Sequence, residues 1–329
     1  MLTLPDIAQA HLDQRKQLAD RATTKALRLY RHMDLNDLDG SWDAIGPELT
    51  ATVAAAQVTA AAQATGYVNA VAPEPGAPNI QPRAFSDVTV DGRELGPALY
   101  GSVTTTKSFI GRGMLPERAF QAGAVFLSIV ANSAILDMGR QADLTAGIAH
   151  KRTYYVRALQ PGACSRCAIL AGKHSSKTAF KRHPRCRCVA VPVQSGESPE
   201  GFPADPQSYF DELDKSEQDR IFTKAGAEAI RQGADPTKVV NARRGAYGIG
   251  YSGHYNPPSV TRGSLVPVQI GHRSDGSPLL VYATSEGSTR YGAYGRTSRS
   301  VRLLPEQIAV MAGGNTDRWI ELLGRYGYL

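Results

Sequence analysis

"GACSRCAILAGKHSSKTAFKRHPRCRC", residues Gly162 to Cys188, holds all four cysteines of a chain of 329 residues, with two of its seven histidines. Cys164 and Cys167 stand in C-x2-C spacing, and after a further stretch His183, Cys186 and Cys188 follow as H-x2-C-x-C. A C-x2-C turn lets two thiolates converge on one ion, and a closed tetrahedral zinc then needs two more donors from a second loop. This window offers three, so one of His183, Cys186 and Cys188 is surplus, and the sequence leaves open which. A strand through "CRC" would put Cys186 and Cys188 on one face, because side chains two apart project to the same side. His174, between the halves, is expected in an exposed loop rather than as a ligand.

Other uses of clustered thiols fit less well. No secretory signal is visible after Met1, so synthesis is expected in the cytoplasm, where disulfides are disfavoured. A redox C-x2-C accompanies a βαβ pattern, and none is visible here. A catalytic zinc keeps one position open and works beside a carboxylate base, yet residues 151 to 192 contain no Asp or Glu. The expected cofactor is therefore one structural Zn2+, the usual occupant of closed Cys and His sites.

The same window concentrates positive charge. Ten of the 37 Lys and Arg residues fall between 151 and 192, leaving 27 basic against 30 acidic groups elsewhere, although the whole chain is +7. Such a patch attracts polyanions or acidic protein surfaces. The candidate nucleic-acid contacts are Arg166, Lys173, Lys181, Arg182, Arg185 and Arg187, with Arg243 and Arg244 in "VNARRG". The acid-free "STRYGAYGRTSRSVRL" adds Arg290, Arg296, Arg299 and Arg302 with Tyr291 and Tyr294, a mixture suited to backbone and stacking contacts. A solvated positive face explains the charge alone equally well.

Around this window the chain is expected to be mainly α, with a small zinc-clipped α/β module and an irregular, Gly-rich C-terminal region of short strands and two short helices. Residues 1–150 are expected as a helical domain with a Pro-rich linker near 73–82. The basic Cys/His module covers 151–193, a connector and helix 194–245, and the extended C-terminal region 246–329. Helices are expected from Ile7 to Tyr30 and through "TATVAAAQVTAAAQATG", with Gly66 as C-cap. Another starts at Pro116, where Phe120, Ala124, Leu127, Ala131, Ile135 and Met138 form one apolar stripe. Its polar interruptions, Gln121, Ser128, Asn132 and Asp137, argue against a membrane span. One helix is expected to open at Ser216 and close at Gly233, and two short ones at Pro305 and Thr316.

"CSRC" followed by "RHPRCRCVAVPV" resembles the phage Mu F-like minor head protein family, the head morphogenesis proteins of tailed phages. "FTKAGAEAIRQGADPTKVVNARRG", "YATSEGSTRYG" and "RLLPEQIAVMAGGNTDRWIELLGRYGYL" look like the form found in phages of actinobacteria. The resemblance covers most of residues 116 to 329, and residues 1 to 110 match only as a helical leader. It implies a structural protein inside the virion head, made in the host bacterial cytoplasm and present in few copies near the portal. It further implies ejection with the DNA, with the portal protein and capsid or scaffold proteins as partners, nonspecific contact with packaged DNA, and no membrane partner. The family's motif falls on Cys164, Cys167, His183, Cys186 and Cys188.

The resemblance implies no enzyme. A capsid maturation protease would have to use His150 with Ser128 or Ser133, both serines lie on an expected helix, and no nucleophile-elbow sequence appears. An ADP-ribosyltransferase is suggested only by "YATSEG", and no paired-glutamate motif follows it. A zinc-containing nucleic-acid-binding protein would share the metal and the basic patch but leaves the helical leader unexplained.

Overall fold

In the computed structural model, which describes residues 3–247, 265–272, 277–284 and 302–329, the chain opens on a capped helix. The Thr3 hydroxyl accepts from the Asp6 amide at 3.3 Å and the Asp6 carboxylate accepts from the Thr3 amide at 3.0 Å, which starts α1 (Leu4–Tyr30) three residues ahead of Ile7. Helix α2 (Leu38–Val71) begins at Asp37, whose carboxylate accepts from the Gly40 amide at 2.9 Å. It runs through Pro47 and Gly66, so Gly66 is not its C-cap. A helical glycine costs about 1 kcal/mol, and the burial of Ala61, Ala64, Tyr67 and Val68 around it outweighs that.

Helix α3 (Leu95–Ile110) forms where no helix was expected: Leu95, Ala98, Leu99 and Val103 make its buried stripe, but Gly101 and a run of threonines dilute the pattern. Helix α4 (Pro116–Ala149) starts at Pro116 as expected. The four helices share a core of Tyr30, Leu49, Val53, Leu99, Val103, Leu127, Ala131 and Ile135. Close approach at Gly123 is part of the design, since a Cβ there would lie 2.1 Å from the Thr106 hydroxyl oxygen and 2.6 Å from the Ser102 carbonyl oxygen. Among the described residues α4 alone is long and apolar enough to cross a membrane by length and composition. It also carries the buried Asp137, Arg140 and Asp143, each engaged by other elements of the protein.

After α4 come three antiparallel strands, β1 (Tyr154–Ala158), β2 (Lys173–Ser175) and β3 (Val189–Val193), with β1 central. Val156 faces Lys173 on one side and Val191 on the other. Val156, Val189, Val191 and Val193 pack against Ala8 and Leu12 of α1, which ties the small sheet to the first helix. The chain is thus mainly helical with a small sheet. These elements form one compact unit, Met1–Pro161 with Leu170–Ala204.

The second unit is Gly162–Ile169 with Asp205–Leu329. It contains α5 (Ser165–Ala168), α6 (Pro206–Glu212), α7 (Lys215–Phe222), α8 (Lys224–Arg231), α9 (Pro236–Tyr247), α10 (Pro305–Ala312) and α11 (Thr316–Arg325). Its antiparallel sheet orders β4 (Leu265–His272), β5 (Pro278–Thr284) and β6 (Arg302–Leu303), with β5 central. The single helix expected between Ser216 and Gly233 is two, because Thr223 sits at φ 65° and turns the chain while its hydroxyl caps α8 at Gly226. Asp214 caps α7 in place of Ser216, and Asn315 caps α11 in place of Thr316, each being the better side-chain acceptor at that register. Phe210, Phe222, Ile230, Val239, Ile308, Leu322 and Tyr328 form the unit's core. Arg243 and Arg244 lie on α9, but their side chains, like Arg290, Tyr291, Tyr294, Arg296 and Arg299, lie outside the described residues.

Candidate metal centre

The first pair of thiols is presented by a turn. Cys164 is the N-cap residue of α5, and its carbonyl accepts from the amides of Cys167 at 2.9 Å and Ala168 at 3.0 Å, which folds C-x2-C into one helical turn. Cys164 is exposed and Cys167 is buried.

The second group is presented by the approach to β3. The His183 carbonyl accepts from the Cys186 amide at 3.1 Å, closing a four-residue turn with Pro184 second and Arg185 third. Arg185 has φ 60°, so proline and a left-handed residue occupy the positions a type II turn gives them. A non-glycine residue there costs on the order of 1 kcal/mol. The turn is pinned from α4, where the Ser133 hydroxyl accepts from the Arg185 amide at 3.3 Å and the Ser128 hydroxyl accepts from its guanidinium. Strand β3 starts only at Val189, one residue past "CRC". Cys186 and Cys188 are nevertheless both buried, while Arg187 between them reaches Asp20 at 3.4 Å. The strand expected through "CRC" does not form over these residues.

The side chains fall into two candidate groups, Cys164 with Cys167 and His183, and Cys167 with Cys186 and Cys188. Cys167 is common to both. These groups could hold a metal ion: bonds of about 2.3 Å to sulfur put neighbouring thiolates of a tetrahedral site about 3.8 Å apart, and soft sulfur with imidazole is a matched donor set. The Nδ1 of His183 lies 2.8 Å from the Pro184 carbonyl oxygen, and because a carbonyl only accepts, the proton belongs on Nδ1 and Nε2 is left as the basic nitrogen.

His174 is not a loop residue. It lies in β2, half-buried, with Nε2 2.9 Å from the Leu170 carbonyl oxygen and its ring 5.3 Å from Tyr155.

The basic side chains of the window are widely engaged. Arg182 pairs with the buried Asp137, Lys173 donates to the carbonyls of Ser195 and Glu197, and Arg185 and Arg187 are held by Ser128 and Asp20. Lys181 is exposed, and Arg166 is half-buried in the last turn of α5. His150 donates to or accepts from no serine in this arrangement among its described bonds; its Nδ1 faces the Ala72 carbonyl at 3.0 Å, while Ser128 donates to the Val125 carbonyl at 2.9 Å.

The spacing of cysteines did not reveal the groups around them. Arg157 of β1 donates to the Cys186 sulfur at 3.4 Å and to the Lys181 carbonyl at 2.8 Å. Arg140 of α4 donates to the Cys188 carbonyl at 2.9 Å and to that of Cys186. A second buried cluster lies in the same unit, where Arg15 donates to both oxygens of Asp143 at 3.1 and 3.3 Å, and the His11 ring stacks on Tyr67 at 3.8 Å. Desolvation holds the His11 imidazole below its ordinary pKa, and although burial opposes it, the Arg15 guanidinium and the His11 ring beside it keep the Asp143 carboxyl below its own. A lone His at position 11 and an Arg four residues on carry no sequence signal for this.

No curated protein and no solved structure gave a match in comparison with this chain. A family model, that of the VG15 protein, matches residues 1–216, a span that takes in α1 to α4, the small sheet and every cysteine. The chain therefore belongs to the VG15 family, a family of viral and phage proteins.

Proposed function

We propose that this chain is a minor capsid, head morphogenesis protein of a tailed phage, a structural component without catalysis that acts near the portal during procapsid assembly and leaves with the DNA. The observation that carries this reading is the match to a viral family over residues 1–216, which joins the helical leader to the cysteine module. The Mu F-like resemblance of "CSRC" and "RHPRCRCVAVPV" supplies the finer assignment.

In this reading one Zn2+ is held by Cys167 with three of Cys164, His183, Cys186 and Cys188. The ion would supply chelation of the thiolates and imidazole, and the chain's own residues supply burial and orientation. Donor chemistry supports zinc, since buried thiolates with imidazole match it better than hard, oxygen-seeking cations. Packaged DNA would be met through phosphate contacts by the exposed Lys181.

Two measurements test the proposal. Mass spectrometry of purified virions, with pull-down of the portal protein from infected cells, would find the chain in few copies beside the portal; its absence from virions refutes the head assignment. Elemental analysis with a thiol count would find one zinc per chain and four thiols that react fully only after chelation. A zinc-binding nucleic-acid protein, the second reading, would instead bind random DNA with a steep salt dependence and stay out of the particle.

A further inference from the structure

The segment Phe180 to Cys188 is gripped by two guanidinium groups that arrive from different elements. Arg157 stands on the central strand β1 and is 1% exposed; Arg140 stands on α4 and is 3% exposed. Between them they bind the carbonyls of Lys181, Cys186 and Cys188 and the sulfur of Cys186. The Phe180 ring lies under both, 4.2 Å from the Arg157 guanidinium carbon and 5.3 Å from that of Arg140. Asp137 completes the arrangement by pairing with Arg140 and with Arg182, which precedes His183.

Two physical consequences follow. Backbone carbonyls held by buried cations keep the loop's shape with no contribution from an ion, because a charge-assisted hydrogen bond in a low-dielectric setting is stronger than a neutral one. A buried cation is also costly unless acceptors surround it, which ties both guanidinium groups to this loop.

We infer, resting on the metal reading above, that Arg157 is a positioning residue of the metal centre and that, with Arg140, it builds the Cys186 and Cys188 half of the site before any ion binds. The metal therefore docks onto a preformed half-site instead of folding it. Arg157 is the member that touches a ligand atom directly, and its planar fork spans the Lys181 carbonyl and the Cys186 sulfur together. A lysine keeps the charge but cannot span both.

The test uses the full chain stripped with a chelator. Zn2+ affinity is measured by competition with a chromophoric chelator, and Co2+ serves as a spectroscopic probe through its thiolate charge-transfer band. Arg157→Lys is expected to melt near the wild type and to bind Zn2+ about 10- to 100-fold more weakly, the range for loss of a supporting contact, with a displaced Co2+ band. Wild-type affinity and an unmoved band in a folded Arg157→Lys protein would overturn the inference. Hydrogen exchange on the metal-free wild type gives a readout independent of any variant: the Cys186 amide, bonded to the His183 carbonyl, is expected to stay protected. Full exchange there without metal means that the ion builds the loop, and the inference fails. A wild type that binds neither Zn2+ nor Co2+ refutes the metal reading itself, which separates that failure from this one.

Discussion

Asp143→Asn removes the anion from a cluster that α1 and α4 bury together. Asp143 is 0% exposed and Arg15 1%, so neither can turn to water when its partner is lost. In the variant the Arg15 guanidinium keeps the Gln63 amide oxygen at 3.3 Å and the His11 Nε2 at 2.9 Å, but it has no counter-charge. Breaking a buried pair from one side costs about 3–5 kcal/mol, and asparagine retains one acceptor oxygen, so the expected loss is about 3 kcal/mol. The chain has two tryptophans, Trp42 in the first unit and Trp319 in the second, so a Trp319→Phe background makes fluorescence report the unit that holds Asp143. With a urea slope of about 2 kcal/mol per molar, the midpoint should fall by about 1.5 M. Arg15→Met added to Asp143→Leu should recover much of the loss, since an apolar pair replaces the ionic one. A midpoint shift equivalent to under about 1 kcal/mol, or a double variant as unstable as the sum of its singles, would refute the reasoning.

Acid should act on the same cluster. His11 and Asp143 both have folded pKa values below their ordinary 6.5 and 3.8, so the unfolded chain takes up protons first on each. Stability is expected to be complete above about pH 6.5 and to fall as pH drops, His11 acting first and Asp143 at lower pH. His11→Gln should flatten the slope between about pH 7 and 5, and an unchanged slope in the urea midpoint would count against it. Gly123→Ala should destabilise by about 1–3 kcal/mol, because its Cβ meets Thr106, Tyr30 and the Ser102 backbone; thermal melting at an unchanged midpoint would contradict this. Tyr67→Phe deletes the bond to the Ala190 carbonyl at 2.9 Å and should cost about 1–2 kcal/mol in the same fluorescence assay. Cys167→Ser should lower zinc content more than Cys164→Ser does, since Cys167 belongs to both donor groups; equal losses in elemental analysis would contradict the shared role.

Local signals located elements better than they bounded them. Pro116 marks the start of α4 because a missing N–H costs nothing in a first turn. Pro47 and Gly66 misled for the complementary reason: local rules count the penalty, while the burial that outweighs it comes from residues distant in the chain. α3 was hidden because Gly101 and the threonines that dilute its stripe are suited to a helix only where Phe126 covers Gly101 and Tyr30 bonds Thr106.

At the candidate site, the sequence determined which residues are candidate donors. C-x2-C and H-x2-C-x-C spacing is covalent, and a turn two or three residues long brings its own thiols together whatever the rest of the chain does. The tertiary structure decided what surrounds them. Arg157 and Arg140 lie 29 and 46 residues before Cys186, and which arginine faces which carbonyl is settled when strand β1 and helix α4 pack beside the loop. The same holds for His11, Arg15 and Asp143, whose charges become a cluster only because burial removes water as the competing partner.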